Sequence, residues 1–178
     1  GFILDVYNIK ASEFTIKLRW GKNEEFLAGQ FDRISMGSRF PILSLQAIFG
    51  VKDLFNSDYE YQKIEFQMSH KAGLGFFGAL HYDILAGHIF GKAAYPFMKV
   101  HPGNQSYWLQ TEAFNNMNFF EFVSDTYVSL MAEHHWNGLF FDRIPGIRKL
   151  KWRMVTALRG VVGEFSDRHL SEMILPDV

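Results

Sequence analysis

The chain has 178 residues, with 18 lysines and arginines against 19 aspartates and glutamates, and a formal net charge of -1. That balance supplies no overall field for gathering nucleic acid, and the absence of cysteine removes disulfide frameworks and thiolate metal sites. No apolar run approaches the ~18–20 residues of a membrane-spanning helix, and Gly1 to Trp20 has no basic segment leading into an apolar core, so a signal peptide is absent or removed. A membrane barrel stays open, because its strands are short and only half apolar.

From the amino end onward the period is two. In Glu13 to Trp20, "EFTIKLRW", Phe14, Ile16, Leu18 and Trp20 alternate with Glu13, Thr15, Lys17 and Arg19. Such alternation marks a strand with one buried or lipid-facing side. Residues 39–51 set Leu43, Leu45, Ala47, Phe49 and Val51 against Ser44 and Gln46, although Ile48 breaks the polar row. Residues 59–70 set Ile64, Phe66 and Met68 against Lys63, Glu65, Gln67 and Ser69. A tight turn is expected at "KAGLG", Lys71 to Gly75. Residues 76–89 then set Leu80, Tyr82, Ile84 and Ala86 against His81 and Asp83.

A long loop over residues 91–122, carrying Pro96, Pro102 and Gly103, interrupts the series. Residues 123–137 resume it, with Val128, Leu130, Ala132 and Trp136 opposite Asp125, Tyr127, Ser129, Glu133 and His135. The last strand is expected over 149–163. There Leu150, Trp152, Met154, Thr156, Leu158 and Val162 face one way, and Lys151, Arg153, Val155, Ala157 and Arg159 the other. The fold class is therefore all-β, an antiparallel meander. Its strands run to about 8–14 residues against a usual mode of roughly 5–6, which suits a tilted bilayer crossing of about 9–11. Aromatic residues make up 17% of the chain, including 19 phenylalanines, and a soluble domain would have to hide most of them.

The pair His134-His135 after Glu133 has the residue types of a zinc site, but on a strand successive side chains leave opposite faces. His135 shares the polar face with Glu133, while His134 falls on the apolar face between Ala132 and Trp136. The reading is a polar pair on one side and an interfacial ring on the other, with no metal and no cofactor. His81 and Asp83 share a face and could form a hydrogen-bonded pair, but no serine is tied to them by a nucleophile motif. The basic run "RIPGIRKLKWR", Arg143 to Arg153, suits lumenal charge pairing or an anion such as lipopolysaccharide, and Trp152 suits a membrane-interface belt.

Several stretches resemble a known family. They are "NSDYEYQK" (Asn56 to Lys63), "AGHIFGKAAYPFMKVHPGN" (Ala86 to Asn104), "FEFVSD" (Phe120 to Asp125), "EHHWNG" (Glu133 to Gly138) and "RIPGIRKLKWR". From about Arg33 to Asp167 the chain resembles the C-terminal barrel of an uncharacterised family of Gram-negative outer-membrane proteins. In that family, a domain of unknown function, an N-terminal carboxypeptidase regulatory-like domain precedes a large β-barrel loosely like those of TonB-dependent receptors. The resemblance implies a bacterial outer-membrane location and no reaction. Phe2 to Ile9 offers one further strand, and the end "SDRHLSEMILPDV" lacks a closing aromatic strand. The chain is therefore expected to be a fragment whose partners are membrane lipid, missing flanking strands and the N-terminal domain.

On this reading the lipid-facing residues are Phe14, Ile16, Leu18, Trp20, Leu45, Phe66, Leu80, Leu130, Trp152 and Leu158. The lumen-facing polar residues are Lys17, Arg19, Glu65, His81, Asp83, Glu133, His135, Lys151, Arg153 and Arg159. The role expected is non-enzymatic: transport, surface binding or envelope structure. The alternative is a soluble lipocalin-like barrel with the faces inverted, so that the apolar row lines a small-molecule cavity. An outer-membrane hydrolase using His81/Asp83 or Glu133/His135 ranks third.

Overall fold

The computed structural model describes residues 9–29, 32–108, 110 and 113–167. Its strands are β1 (Glu13–Gly21), β2 (Glu24–Ala28), β3 (Arg33–Ser38), β4 (Ile42–Gly50), β5 (Tyr61–Gly73), β6 (Ala79–Gly91), β7 (Lys99–Val100), β8 (Val123–Ser124), β9 (Thr126–His135) and β10 (Val155–Glu164). Six of them form one sheet in the order β1-β4-β5-β6-β9-β10, and every pairing is antiparallel. The all-β meander expected from the period is the fold observed. β2 and β3 form a separate hairpin between β1 and β4, and β7 and β8 a short pair inside the long excursion between β6 and β9.

Register gives the sheet its two faces. Leu18 pairs with Leu45, Leu45 with Phe66, Phe66 with Ala86, Ala86 with Val128 and Val128 with Val162. The apolar row of β4 occupies odd positions and those of the other five strands even positions, and each pairing aligns these rows, so one face collects the alternating apolar row of all six strands. A one-residue slip at any pairing would send that strand's apolar set to the other side. On three strands the apolar stretch is bounded by polar residues at both ends: Gln62 and His70 on β5, Thr126 and His134 on β9, Thr156 and Glu164 on β10. Each pair is separated by eight residues, about 27 Å along a strand. The band also shifts along the sheet, because Gln62 stands opposite Phe90 whereas Thr126 stands opposite His88. Tilted strands produce such a stagger.

The other face carries the core. Tyr61, Ile89 and Tyr127 are buried there, beneath Ala93, Phe97 and Met98 of the excursion. The ring of Tyr61 stacks on Phe97 with centroids 5.1 Å apart. Two strand glycines make room for the tyrosines. Gly50 stands opposite Tyr61, and a Cβ on it would meet that ring at 2.5 Å; Gly87 stands opposite Tyr127, whose ring a Cβ there would also strike. Glycine weakens a strand interior by itself, and here the lost contacts are replaced by an aromatic ring laid over the backbone.

Three segments differ from the sequence expectation. The last strand begins at Val155 rather than near 149, because Ile147–Leu150 forms one helical turn and Lys151 adopts a left-handed φ of 52°. Lys151, Trp152 and Arg153 thus lie in the loop before β10, outside both rows of the sheet. The β2–β3 hairpin was not anticipated; its strands are short and it carries a bulge between Glu25 and Phe26. The β5–β6 turn is displaced: β5 continues to Gly73, and a 3-10 turn over Gly75–Phe77 leads into β6. The extra strand envisaged from Phe2 lies outside the described residues up to Asn8, as does the chain end from Arg168.

The Tyr127 ring over Gly87 gives a direct check. Gly87→Val should cost on the order of 1–3 kcal/mol by overpacking, read as a lowered unfolding midpoint in detergent micelles, whereas Gly73→Val, with open space at its Cβ, should cost less.

Candidate functional site

The polar face divides into a covered part and an open part. In the covered part, Glu65 of β5 is the acceptor for three donors. The Tyr127 hydroxyl donates to it, the Lys99 ammonium lies 3.2 Å away, and Lys63 lies 3.5 Å away. Lys99 also sits over the Tyr127 ring, 5.5 Å from its centroid. Two positive charges around one carboxylate are stable in a partly dry site only while that carboxylate stays ionised. β7, which brings Lys99, is part of the excursion, so this knot ties the excursion to the sheet.

A second tie is His101, 2% exposed. Its Nε2 lies 3.2 Å from Ser124 Oγ, and its ring meets those of Tyr127 and Phe114 edge-on. Burial, and secondarily the nearby Lys99, hold its imidazole below the ordinary histidine range. Asn104 then closes the neighbouring loop, donating to Trp108 O (2.8 Å) and Asn115 Oδ1 (2.6 Å). The motif "HPGN" thus consists of one buried imidazole and one loop-closing amide.

The open part surrounds a cavity of about 390 Å³ lined by Ser69, Lys71, His81, Asp83, Met131 and Glu133, with Gly37, Ser38 and Phe40 at its edge. Pairing of β6 with β9 sets His81 directly opposite Glu133 and Ala79 opposite His135. The two imidazoles come within 4.9 Å, ring centre to ring centre. Arg159 of β10 donates to Glu133 at 2.9 Å, and His135 Nε2 lies 3.9 Å from the same carboxylate. Asp83 accepts from Gln67 at 2.7 Å, while His81 Nε2 is buried without a hydrogen-bond partner.

His81 and Glu133, one from each pair noted in the sequence, therefore face each other in one patch; Arg159 engages Glu133, and Asp83 is held by Gln67 rather than by His81. The patch brings together an arginine, two imidazoles and two carboxylates. Among the described residues no group of three or more histidines, aspartates and glutamates is placed to hold a metal.

The remaining predicted residues are elsewhere. Lys17 and Arg19 lie on the same face of β1, and Arg19 grips Glu24 of the hairpin through two bonds of 2.6 and 2.5 Å. Arg153 pairs with Asp142 at 3.2 Å in the β9–β10 loop, far from Glu133 in register. Sequence reasoning passed over Lys63, Tyr61, Lys99 and His101 as a group. No local signal marked them: the glycines that face Tyr61 and Tyr127 do so only through strand pairing.

The family model described as "Family of unknown function (DUF5686) C-terminal domain" matches residues 4–173. The chain belongs to this family. No curated protein and no solved structure matches it. Within this family domain the knot and the open patch are two places on the polar face where charged side chains converge.

Two outcomes are expected. Glu65→Ala leaves two ammoniums and a hydroxyl without their acceptor and should cost about 2 kcal/mol, below the usual figure for a fully buried pair because Lys99 is partly wet; its signature is faster protease cleavage within the excursion. Neutral His101 contributes stability that is fully present above about pH 6.5 and is lost as pH falls through its depressed value. Cleavage of the excursion should therefore accelerate between about pH 7 and 5, and His101→Gln should flatten that dependence; an unchanged pH profile in the variant would refute the assignment.

Proposed function

We propose that the chain is part of a transmembrane β-barrel of the bacterial outer membrane, non-enzymatic, with a role in passage or binding of polar solutes. The observation that carries this is the apolar face. Phe14 is 61% exposed, Val128 52% and Leu158 65%, and Ile16, Leu18, Trp20, Leu45, Ile64 and Phe66 are exposed as well. Monomeric soluble proteins rarely show contiguous apolar patches beyond a few hundred Å², and this one crosses six strands. Its polar boundaries, about 27 Å apart along the strand, become about 20 Å at a tilt of about 40°, close to the roughly 25 Å apolar belt of membrane barrels. In a lipocalin-like barrel the same row would line a dry interior; among the described residues it is exposed, and the core lies on the opposite face.

Among the described residues β1 and β10 each pair on one side only. In lipid an unpaired edge is costly, so only closed barrels are stable there, and six strands are fewer than the roughly eight of the smallest barrels. The proposal therefore includes further strands of the same polypeptide against β1 and β10, and an N-terminal regulatory-like domain as the resemblance implies. The polar face then lines the lumen, the excursion narrows it, and the open His81–Glu133–Arg159 patch meets the solute.

Phe66 discriminates the readings, since it lies midway between Gln62 and His70 and is 40% exposed. In a bilayer, Phe66→Arg should cost about 2–4 kcal/mol, measured by denaturant titration of folding into lipid vesicles. On a water-exposed surface the change would stay within about 0.5 kcal/mol, and that result would end the membrane reading.

A further inference from the structure

Resting on the barrel reading, we infer that the β9–β10 loop is a docking collar for anionic lipid headgroups at one rim of the sheet. The apolar face does not stop at His134. Trp136 stacks on His134 at 4.0 Å, and Phe140 packs on Trp136 at 5.4 Å, so the aromatic ladder runs from the sheet into the loop. Trp136 is also anchored, its indole N–H donating to Thr156 Oγ1 at 3.0 Å, and His134 Nε2 lies 2.8 Å from Phe77 O of the adjoining turn. Beyond this ladder the loop exposes Phe140, Ile144, Leu150 and Trp152. Apolar bodies exposed beside polar groups, with Trp at the boundary, suit the headgroup zone.

The charge on the loop is one-sided. Leu139 to Arg153 holds five basic residues against the single acid Asp142. Arg153 takes that acid, and Arg143 lies over the Phe76 ring at 5.5 Å. Arg148, Lys149 and Lys151 are exposed, with no ion pair among the described residues. The opposite end of the sheet, where β4 leads into β5 and β10 stops, presents Asp53, Asp58, Glu60, Glu164 and Asp167 with Lys10, Lys52 and Lys92. The β9–β10 loop is thus net basic and the opposite end net acidic. Three unpaired cations at the margin of an apolar belt meet their complement in lipid phosphates, each gaining on the order of fivefold in surface affinity.

The test uses the full chain, reconstituted with brominated phosphatidylglycerol or brominated phosphatidylcholine, with tryptophan quenching as the readout. Trp152→Phe identifies the share of quenching that reports on the loop. At low salt that share should favour phosphatidylglycerol several-fold, and the preference should fade near 1 M NaCl, where charges are screened beyond about 3 Å. A triple variant, Arg148→Gln, Lys149→Gln and Lys151→Gln, should lose the preference and keep quenching by both lipids; the substituted side chains make no contact that the fold needs.

An undiminished preference in the triple variant, or equal quenching by the two lipids in the unmodified chain, overturns the collar and leaves the barrel reading standing. Abolition of the preference by millimolar inorganic phosphate would assign the cations to a soluble anion and overturn the lipid assignment. No quenching of any tryptophan by either lipid would bring down the barrel reading itself.

Discussion

The structure depends on phase. Five successive antiparallel pairings align apolar row with apolar row, and each strand keeps its apolar set on alternate positions, odd on β4 and even on the other five. Neither property alone makes a two-faced sheet. Alternating strands paired out of phase would scatter Leu18, Phe66 and Val162 over both sides, and in-phase pairing of irregular strands would leave no continuous belt. Strand pairing is enforced by backbone hydrogen bonds that are indifferent to side chains, so the choice of register rests on what the two faces then contact.

What they contact is unequal. On the polar face the excursion supplies Phe97, Met98, Lys99 and His101, and the sheet answers with Tyr61, Glu65 and Tyr127. This is a core built on a polar surface, and it holds because Lys99 and Tyr127 meet the Glu65 carboxylate within it. The apolar face is left exposed among the described residues. In a water-soluble chain the exposed aromatic and aliphatic residues would drive association; in hydrocarbon they are already in their preferred surroundings. The placement of the core on the charged side supports the proposed inside-out arrangement, in which a polar interior would be bridged by side chains and an apolar exterior left to lipid.

The legibility of the sheet varied with how strictly each segment alternates. β1 was readable nearly to the residue, because "EFTIKLRW" has no exception to its period. The separation of His134 from His135, and the sharing of a face by Glu133 and His135, followed from the same geometry. β10 was overextended for an instructive reason: "LKWRM" continues the alternation on paper, but Lys151 takes a positive φ and the backbone turns there. Alternation in composition does not by itself fix the backbone, and a short alternating run can lie in a turn, where side chains no longer leave two opposite faces. The β2–β3 hairpin escaped because "EEFLA" and "RISMGS" are brief and lack a clean period, and because its tie to β1, Arg19 with Glu24, involves two polar residues unremarkable in isolation.

Residue order alone determined which side chains share a side of each strand, since that follows from covalent geometry and the two-residue repeat. It also determined that one of the two sides would be mostly apolar between polar ends. Only the tertiary structure decided which side receives the core, for the contacts that do so join positions far apart along the chain, Tyr127 with Glu65 across 62 residues and Lys99 with Glu65 across 34. No local pattern encodes such a meeting. It arises when β5, β6 and β9 lie side by side and bring one carboxylate beneath a returning loop, and the energy of that arrangement exists only once all of its members are in place.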